Sequence, residues 1–471
     1  MFKTILSSFF LLLFFQPSFA QSINLCLSKK FESFEKDPQL KYGITSLTVL
    51  NAETGNVIFS KNGNTGLASA STLKTITSAT AYYLLGKDFT WQTTLGYSGN
   101  ISTDGTLNGD LILTGGGDPT LGSWRYEQTK SDAVIEKWID AIHKAGIKKV
   151  SGRIIADDLL FGTQTLPQGW IWQDMGNYYG AGPNSLSWHE NQFDLTFRPG
   201  KVGEMADLIR TEPDLSYLKI LNEVKTGNAG SGDNVYAYSA PFSDIIYLRG
   251  TYGIDLKKVI AASMPDPAFE AVFQLQNTLK TLGIELNKPV TTSRKLLADK
   301  ELFILPSKII SVHTSPTLDQ VIYWFNQRSI NLYGEHLLKT LAWKQGKEIS
   351  TAAGAEVVKN FWNKKLGIDP NALNMLDGSG LSPGTRITTM AMAQILQSVK
   401  KEPWFNSYYE SFPVYNNMKM KSGSIQDVLA FTGYQTTSSG VPVTFSFIIN
   451  NYNGSASAVK QKMFKVLDLL K

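Results

Sequence analysis

A serine followed three residues later by a lysine, Ser71-Thr72-Leu73-Lys74, is a place in this 471-residue chain where a nucleophile and a base can meet. Residues three apart on a helix are neighbours, so the amine lies beside the hydroxyl. That pairing suits a serine activated by a lysine of lowered pKa. A helix start also offers backbone N–H groups to a developing oxyanion. Two later triplets carry complementary groups. Ser329-Ile330-Asn331 supplies a hydroxyl that can relay a proton and an amide that can hold a peptide group. Lys421-Ser422-Gly423 sets a cation and a hydroxyl donor beside a closely approachable backbone, where a carboxylate can dock.

Spelling alone does not single these out. The S-x-x-K pattern recurs at Ser33, Ser216, Ser398 and Ser457, and an N-cap serine before a solvated lysine reads the same way. S-x-N recurs at Ser22 and Ser98, and Lys225-Thr226-Gly227 rivals the last triplet. Order and surroundings separate them. Lys225 precedes Ser329 and opens a glycine-rich loop, whereas Lys421 follows Ser329 and leads into alternating strands.

The elements that must position these groups are legible at both ends of the chain. Residues 42–61 alternate apolar and polar around Glu53-Thr54-Gly55, which predicts a hairpin. A helical pattern runs over 71–85 and closes at Gly86. From about 89 to 299 the pattern changes to short strand-like runs, several Trp residues and glycine-rich turns at 115–119 and 227–233. Long helical patterns return over 318–344 and 352–365, with Ser329-Ile330-Asn331 inside the first or at a break in it. Residues 428–437 and 441–450 form a second hairpin across Ser438-Ser439-Gly440, and a last helix covers about 455–470. Strands at the ends with helices between predict an α+β domain, an antiparallel sheet flanked by helices. It is formed by residues 21–88 and 300–471 and split by a large, mostly β insertion at 89–299 made of two subdomains.

Composition limits the alternatives. With 18% charged residues and a formal net charge of +5 spread along the chain, no basic stripe argues for nucleic acid. One cysteine, Cys26, forms neither an intrachain disulfide nor a cysteine metal site. The four histidines lack H-E-x-x-H spacing and a nucleophile-elbow context, so metal and Ser-His-Asp chemistry have little support. His336 reads as an ordinary residue of the helix after Ser329. Gly115-Gly116-Gly117-Asp118 lacks the lysine of a phosphate loop, and Asp377-Gly378-Ser379-Gly380 lacks the acids of a calcium cage. Trp170, Trp172, Tyr178 and Tyr179 suit either packing or a glycan or peptide groove. Met1–Ala20 begins with Lys3, continues through an apolar run and ends in Ser18-Phe19-Ala20, the pattern of a cleaved export signal rather than of a stable membrane anchor.

S-x-x-K, S-D-N and K-T-G together mark class A β-lactamases and penicillin-binding proteins, and here the set stands in order at Ser71, Ser329 and Lys421. The chain resembles the class C low-molecular-mass penicillin-binding proteins, the D-alanyl-D-alanine carboxypeptidase/endopeptidases of bacterial cell walls. Longer blocks carry the likeness from about residue 42 to the end: LTGGGDPTL at 113–121, GNYYGAGPNSLSWHEN at 176–191, SINLYGEHLLK at 329–339 and DGSGLS at 377–382. Ile330 stands where the triplet has Asp, and Ser422 where it has Thr. Both changes keep the reacting groups.

The resemblance implies a penicillin-binding/β-lactamase-like fold and a serine peptidase needing no cofactor, exported to the periplasm. Its substrates would be peptidoglycan peptides, with β-lactams as covalent inhibitors. By the same resemblance Ser71 attacks, Lys74 is the base and Ser329 relays a proton. Asn331 holds the penultimate amide, Lys421 and Ser422 meet the terminal carboxylate before Gly423, and the N–H groups of Ser71 and Ser424 stabilise the oxyanion. A catalytically retired wall-binding protein and a β-lactamase are the alternatives. The long interval between Ser71 and Ser329 speaks against a compact β-lactamase.

Overall fold

The computed structural model describes residues 17–471. The expected export signal therefore lies outside the described residues as far as residue 16. The first helix, α1, spans Pro17–Glu35 and contains the expected cleavage bond after Ala20.

An antiparallel six-stranded sheet joins the two ends of the chain. It contains β1 (Ile44–Asn51), β2 (Val57–Lys61), β3 (Val414–Tyr415), β4 (Met418–Ile425), β5 (Val428–Thr436) and β6 (Pro442–Asn450), in the order β2-β1-β6-β5-β4-β3. Both expected hairpins are present. Side chains alternate across a strand, and the sheet uses both faces. Leu47, Val49, Phe445, Phe447 and Ile449 face α1 and the C-terminal helix Ala456–Leu467 in one buried cluster. Within it, the rings of Phe31 and Phe34 lie 5.7 and 5.4 Å from that of Phe447. Ser46 and Thr48 point the other way and share hydrogen bonds of 2.6 and 2.9 Å with Thr389, at the start of the helix Thr389–Ser398.

A helical layer covers that second face. A 3₁₀ turn at Ala70–Leu73 leads into α2 (Lys74–Leu85), which Gly86 ends at φ 83°. In the pattern over 318–344, Ser329-Ile330-Asn331 lies at a break and not inside one helix. The structure breaks that pattern into α5 (Leu318–Gln327) and α6 (Asn331–Lys344), with Ser329 between them at φ 58°. Thr317 and Gln320 form a capping box that starts α5.

The stretch between the motifs is mostly β, as expected. Besides its strands it contains the long helices α3 (Ser131–Lys144) and α4 (Pro267–Thr281), each with an apolar stripe buried against strands. The first stripe, Val134, Ile135, Trp138 and Ile142, has helical spacing that was readable in the sequence. Two large hydrophobic clusters occupy the stretch, one drawn from residues 95–188 and 268–290, the other from 193–264, beside a small one of Ile112, Ile155 and Leu296. We propose that the two large clusters are its two subdomains, the second nested in the first. Lys308–Thr314 pairs with Gln92–Tyr97 in a five-stranded sheet, and on that pairing we propose that the insertion runs past the expected edge at 299.

Because Phe447 is fully buried between the sheet and α1, Phe447→Ala should lower unfolding free energy by about 3–5 kcal/mol. Urea unfolding followed by fluorescence measures this. A loss under about 1 kcal/mol would show that α1 does not pack there.

Candidate active site

Lys74 is the centre of the site. It is the first residue of α2, fully buried, and its Nζ lies 2.9 Å from Ser71 Oγ, 2.6 Å from Asn331 Oδ1 and 2.8 Å from the Ser379 carbonyl oxygen. The S-x-x-K spacing achieves this because Ser71 belongs to the 3₁₀ turn that feeds the helix, which stacks the two side chains. Burial pushes the Lys74 pKa well down, and the nearby Lys421 ammonium adds to the shift. Asp377 and Glu335 oppose it.

A second buried lysine lies next to the first. Lys421 on β4 donates to Ser329 Oγ at 3.0 Å and to the Ser422 carbonyl at 2.8 Å. Burial alone brings its pKa down to about 7. Gly423, two residues on, faces the Ser71 turn. A β-carbon there would stand 2.7 Å from the Ser69 carbonyl oxygen and 2.9 Å from the Ser71 nitrogen. Only glycine lets the strand run this close to the backbone at Ser71.

Asn331 opens α6. Its Oδ1 accepts from Lys74, while its Nδ2 donates to the Tyr179 carbonyl at 2.8 Å. An amide nitrogen carries two protons, so one N–H remains for a bound carbonyl group. Tyr179 belongs to the insertion, which thus reaches the central residues directly.

Three features escaped the sequence reading. The first is that α6 anchors the insertion. Tyr333 donates to the buried Glu190 at 2.7 Å. His336, read as an ordinary helix residue, is fully buried: Nδ1 donates to the Gly117 carbonyl at 2.9 Å, and Nε2 accepts from Ser187 at 3.0 Å. Burial depresses its pKa to about 3, so it is a neutral spacer. Lys339 donates to the carbonyls of Phe161 and Gln164 at 2.9 and 2.6 Å. The second is the segment 377–380. Asp377 accepts from Trp170 Nε1, the Ser382 N–H and Thr385 Oγ1 at 3.1, 2.7 and 2.8 Å, and Gly380, at φ 81°, packs on the Ala70 carbonyl. The third is Arg125, paired with Glu190 at 2.8 Å and set between Trp124 and Trp324. The signal for the first two lay in the blocks 329–339 and 377–382, whose residue types are unusual for plain packing.

A cleft of ≈ 550 Å³ opens over these groups. Ser71, Ser329, Asn331 and Ser424 line it from one side; Arg125, Asp174, Tyr178, Tyr179, Glu190 and Tyr236 come from the insertion. Lys74, Lys421, Ser422 and Gly423 stand outside that lining, the two lysines buried beneath it. Of the four aromatic residues weighed for a groove, Tyr178 and Tyr179 line the cleft. Trp170 is buried on Asp377, and Trp172 lies exposed against Tyr238. Lys225 is exposed on a strand of another sheet, away from the cleft lining. Among the described residues, no cluster of His, Cys, Asp or Glu is arranged to hold a metal.

Chemically, this is a hydroxyl hydrogen-bonded to a buried amine of lowered basicity, beside a second hydroxyl held by a cation. The arrangement suits acyl transfer through serine. Comparison with known proteins agrees. The model of the D-Ala-D-Ala carboxypeptidase 3 (S13) family matches residues 27–470. A D-alanyl-D-alanine carboxypeptidase of Actinomadura sp. (strain R39) is 25% identical over 468 residues, covering 93% of this chain and 84% of that one. The D-alanyl-D-alanine carboxypeptidase DacB of Haemophilus influenzae is 24% identical over 438 residues, covering 86% and 84%. The crystal structure of penicillin binding protein 4 from Haemophilus influenzae matches with a TM-score of 0.76 at 21% identity, over 94% of this chain and 99% of that one. The fold is the one expected from the motifs.

Gly423→Val tests the approach of β4 to Ser71. The added side chain should displace that turn and lower the rate of Ser71 labelling by fluorescent penicillin by about 100-fold or more, with near-native circular dichroism. Labelling within about threefold of wild type would show that the close approach is not needed.

Proposed function

The chain belongs to the D-Ala-D-Ala carboxypeptidase 3 (S13) family, and on that premise we propose that it cleaves D-alanyl-D-alanine ends or D-alanine cross-links of peptidoglycan peptides through an ester on Ser71. It is a serine-type DD-peptidase, a hydrolase. The observation that carries the assignment of roles is the 2.9 Å contact between Lys74 Nζ and Ser71 Oγ inside a fully buried environment.

The step begins with neutral Lys74 taking the Ser71 proton as Oγ attacks the carbonyl carbon. The N–H groups of Ser71 and Ser424 stabilise the oxyanion. Lys421 meets the terminal carboxylate with Ser422, and the free N–H of Asn331 holds the penultimate amide. Since Ser329 Oγ accepts from Lys421, its own proton is available to the leaving nitrogen. The C–N bond breaks as the nitrogen takes the Ser329 proton, and the proton that Lys74 took from Ser71 passes to Ser329, leaving Lys74 neutral. Water then attacks the ester, giving a proton to Lys74, which returns it to Ser71 Oγ as the acid leaves. A β-lactam follows the same path, but its amine stays tethered and the ester persists.

Location follows from the leader. The charged start, apolar run and small-residue end of residues 1–20 support export and cleavage. Among the described residues, no helix is long and apolar enough to cross a membrane. We place the mature enzyme in the periplasm, working on the cell wall.

Intact mass after penicillin treatment should show one adduct, mapped by peptide analysis to Ser71 and absent from Ser71→Ala. An adduct that survives this substitution would sink the assignment. The pH dependence gives a second test. Burial lowers Lys421 to about 7, so its charge is present below that pH and lost above it. For a peptide with a free C-terminal carboxylate, kcat/KM should therefore fall above pH about 7, up to tenfold per unit. In Lys421→Arg, whose guanidinium stays charged, the alkaline limb should move up beyond pH about 9. A limb that stays in place would remove Lys421 from carboxylate binding.

A further inference from the structure

Lys74 has three acceptors around it, but as a base it carries only two N–H groups. A neutral amine that gives one N–H to Asn331 Oδ1 at 2.6 Å and the other to the Ser379 carbonyl at 2.8 Å keeps its lone pair for Ser71, 2.9 Å away. The Ser379 carbonyl therefore helps decide where the base points. Should that carbonyl drift, an N–H turns toward Ser71 and the lone pair turns away.

The residue before Ser379 is gripped twice: Thr77 Oγ1 on α2 donates to the Gly378 carbonyl at 2.7 Å, and the Gly378 N–H is taken by Glu335. Glu335 stands on α6 one turn beyond Asn331, fully buried, and its two carboxylate oxygens lie 3.1 and 3.0 Å from the Gly378 nitrogen, whose N–H they share. Ser379 is the next residue. On its other side Gly380 is packed against Ala70, at the turn that carries Ser71. The segment is thus held between α6 and the nucleophile's own turn. Glu335 is absent from the cleft lining, so it acts through other groups.

We propose that Glu335 is a positioning residue for acylation: its grip on Gly378 fixes the Ser379 carbonyl and thereby aims the Lys74 lone pair at Ser71. This rests on the serine-acylation reading above. The charged groups facing Lys74 are Lys421 from β4, Asp377 from the loop and Glu335 from α6. Those facing Glu335 are Asp377 and Lys74, with Lys339 a turn further along α6. Burial, reinforced by Asp377, pushes the Glu335 carboxyl well above the ordinary carboxylate range. In its neutral form it places no anion near Lys74 that would hold a proton there, and it keeps an oxygen for the Gly378 N–H. An amide in its place should therefore work.

The test is the acylation rate constant with fluorescent penicillin across pH, expressed per competent site, with sites counted from the label bound at completion. Glu335→Ala should slow acylation about 100-fold, as loss of near-attack geometry does, while the noncovalent affinity for penicillin stays within about twofold. Glu335→Gln should remain within about fivefold of wild type, with its acid limb no higher in pH. Glu335→Asp, too short to reach Gly378 from the same backbone, should be at least about tenfold slower than Glu335→Gln. A purely structural role lowers the number of competent sites but leaves their rate unchanged. Wild-type rates per site in Glu335→Ala, or in Glu335→Asp should the alanine protein not fold, overturn the proposal. So does a Glu335→Gln protein as slow as the alanine or aspartate variant. Absence of label on wild-type Ser71 would instead overturn the acylation reading itself.

Discussion

Everything in this molecule that bears on chemistry depends on holding one lysine amine away from water. Lys74 has no solvent exposure and lies beside a second buried lysine. An ammonium in that position is costly, so burial favours the neutral form. A neutral amine is useful only when its lone pair is directed. The three acceptors around Nζ come from the α2 turn, the start of α6 and the segment at 377–380. These parts are distant in sequence and meet only in the folded chain.

Helix α6 is the common support. Its first turn presents Asn331 to Lys74 and, one turn on, Glu335 to the segment 377–380. The side chains of Tyr333, His336 and Lys339, spaced three apart, bond to groups of the insertion. The helix that positions the central residues is therefore the helix on which the insertion is seated. This explains why the cleft has walls from both: Tyr179 bonds Asn331 directly, and Trp170 bonds Asp377 below it. A shift of the insertion on α6 would move the cleft wall and the lysine's acceptors together.

The polar interior has a physical requirement. Buried donors and acceptors must be paired, because each orphan costs about 1–3 kcal/mol. Asp377 has three donors, Glu190 is met by Arg125, Ser123 and Tyr333, and Lys339 gives its protons to two carbonyls. Paired in this way, these groups fix relative positions more narrowly than apolar packing does. The glycines at 380 and 423 serve the same end by letting backbones touch where side chains would separate them.

Much of this was readable from residue order. Local alternation specified the two hairpins, because a half-buried strand must alternate, and the three motifs with their order pointed to Ser71, Ser329 and Lys421. The helix stop at Gly86 follows from its left-handed backbone, which only glycine adopts without strain. What the sequence did not determine is which distant groups share a low-dielectric space. The helical pattern over 318–344 left open whether Ser329 lies inside a helix or at a break; the fold places it at a break, where its hydroxyl meets Lys421. His336, Lys339, Glu335 and Asp377 look like ordinary helix or loop residues until the insertion and the segment 377–380 surround them. Their roles depend on partners roughly 40 to 220 residues away in the chain. Burial and pairing are properties of the assembled interior, and so the orientation of the base was decided by tertiary structure alone.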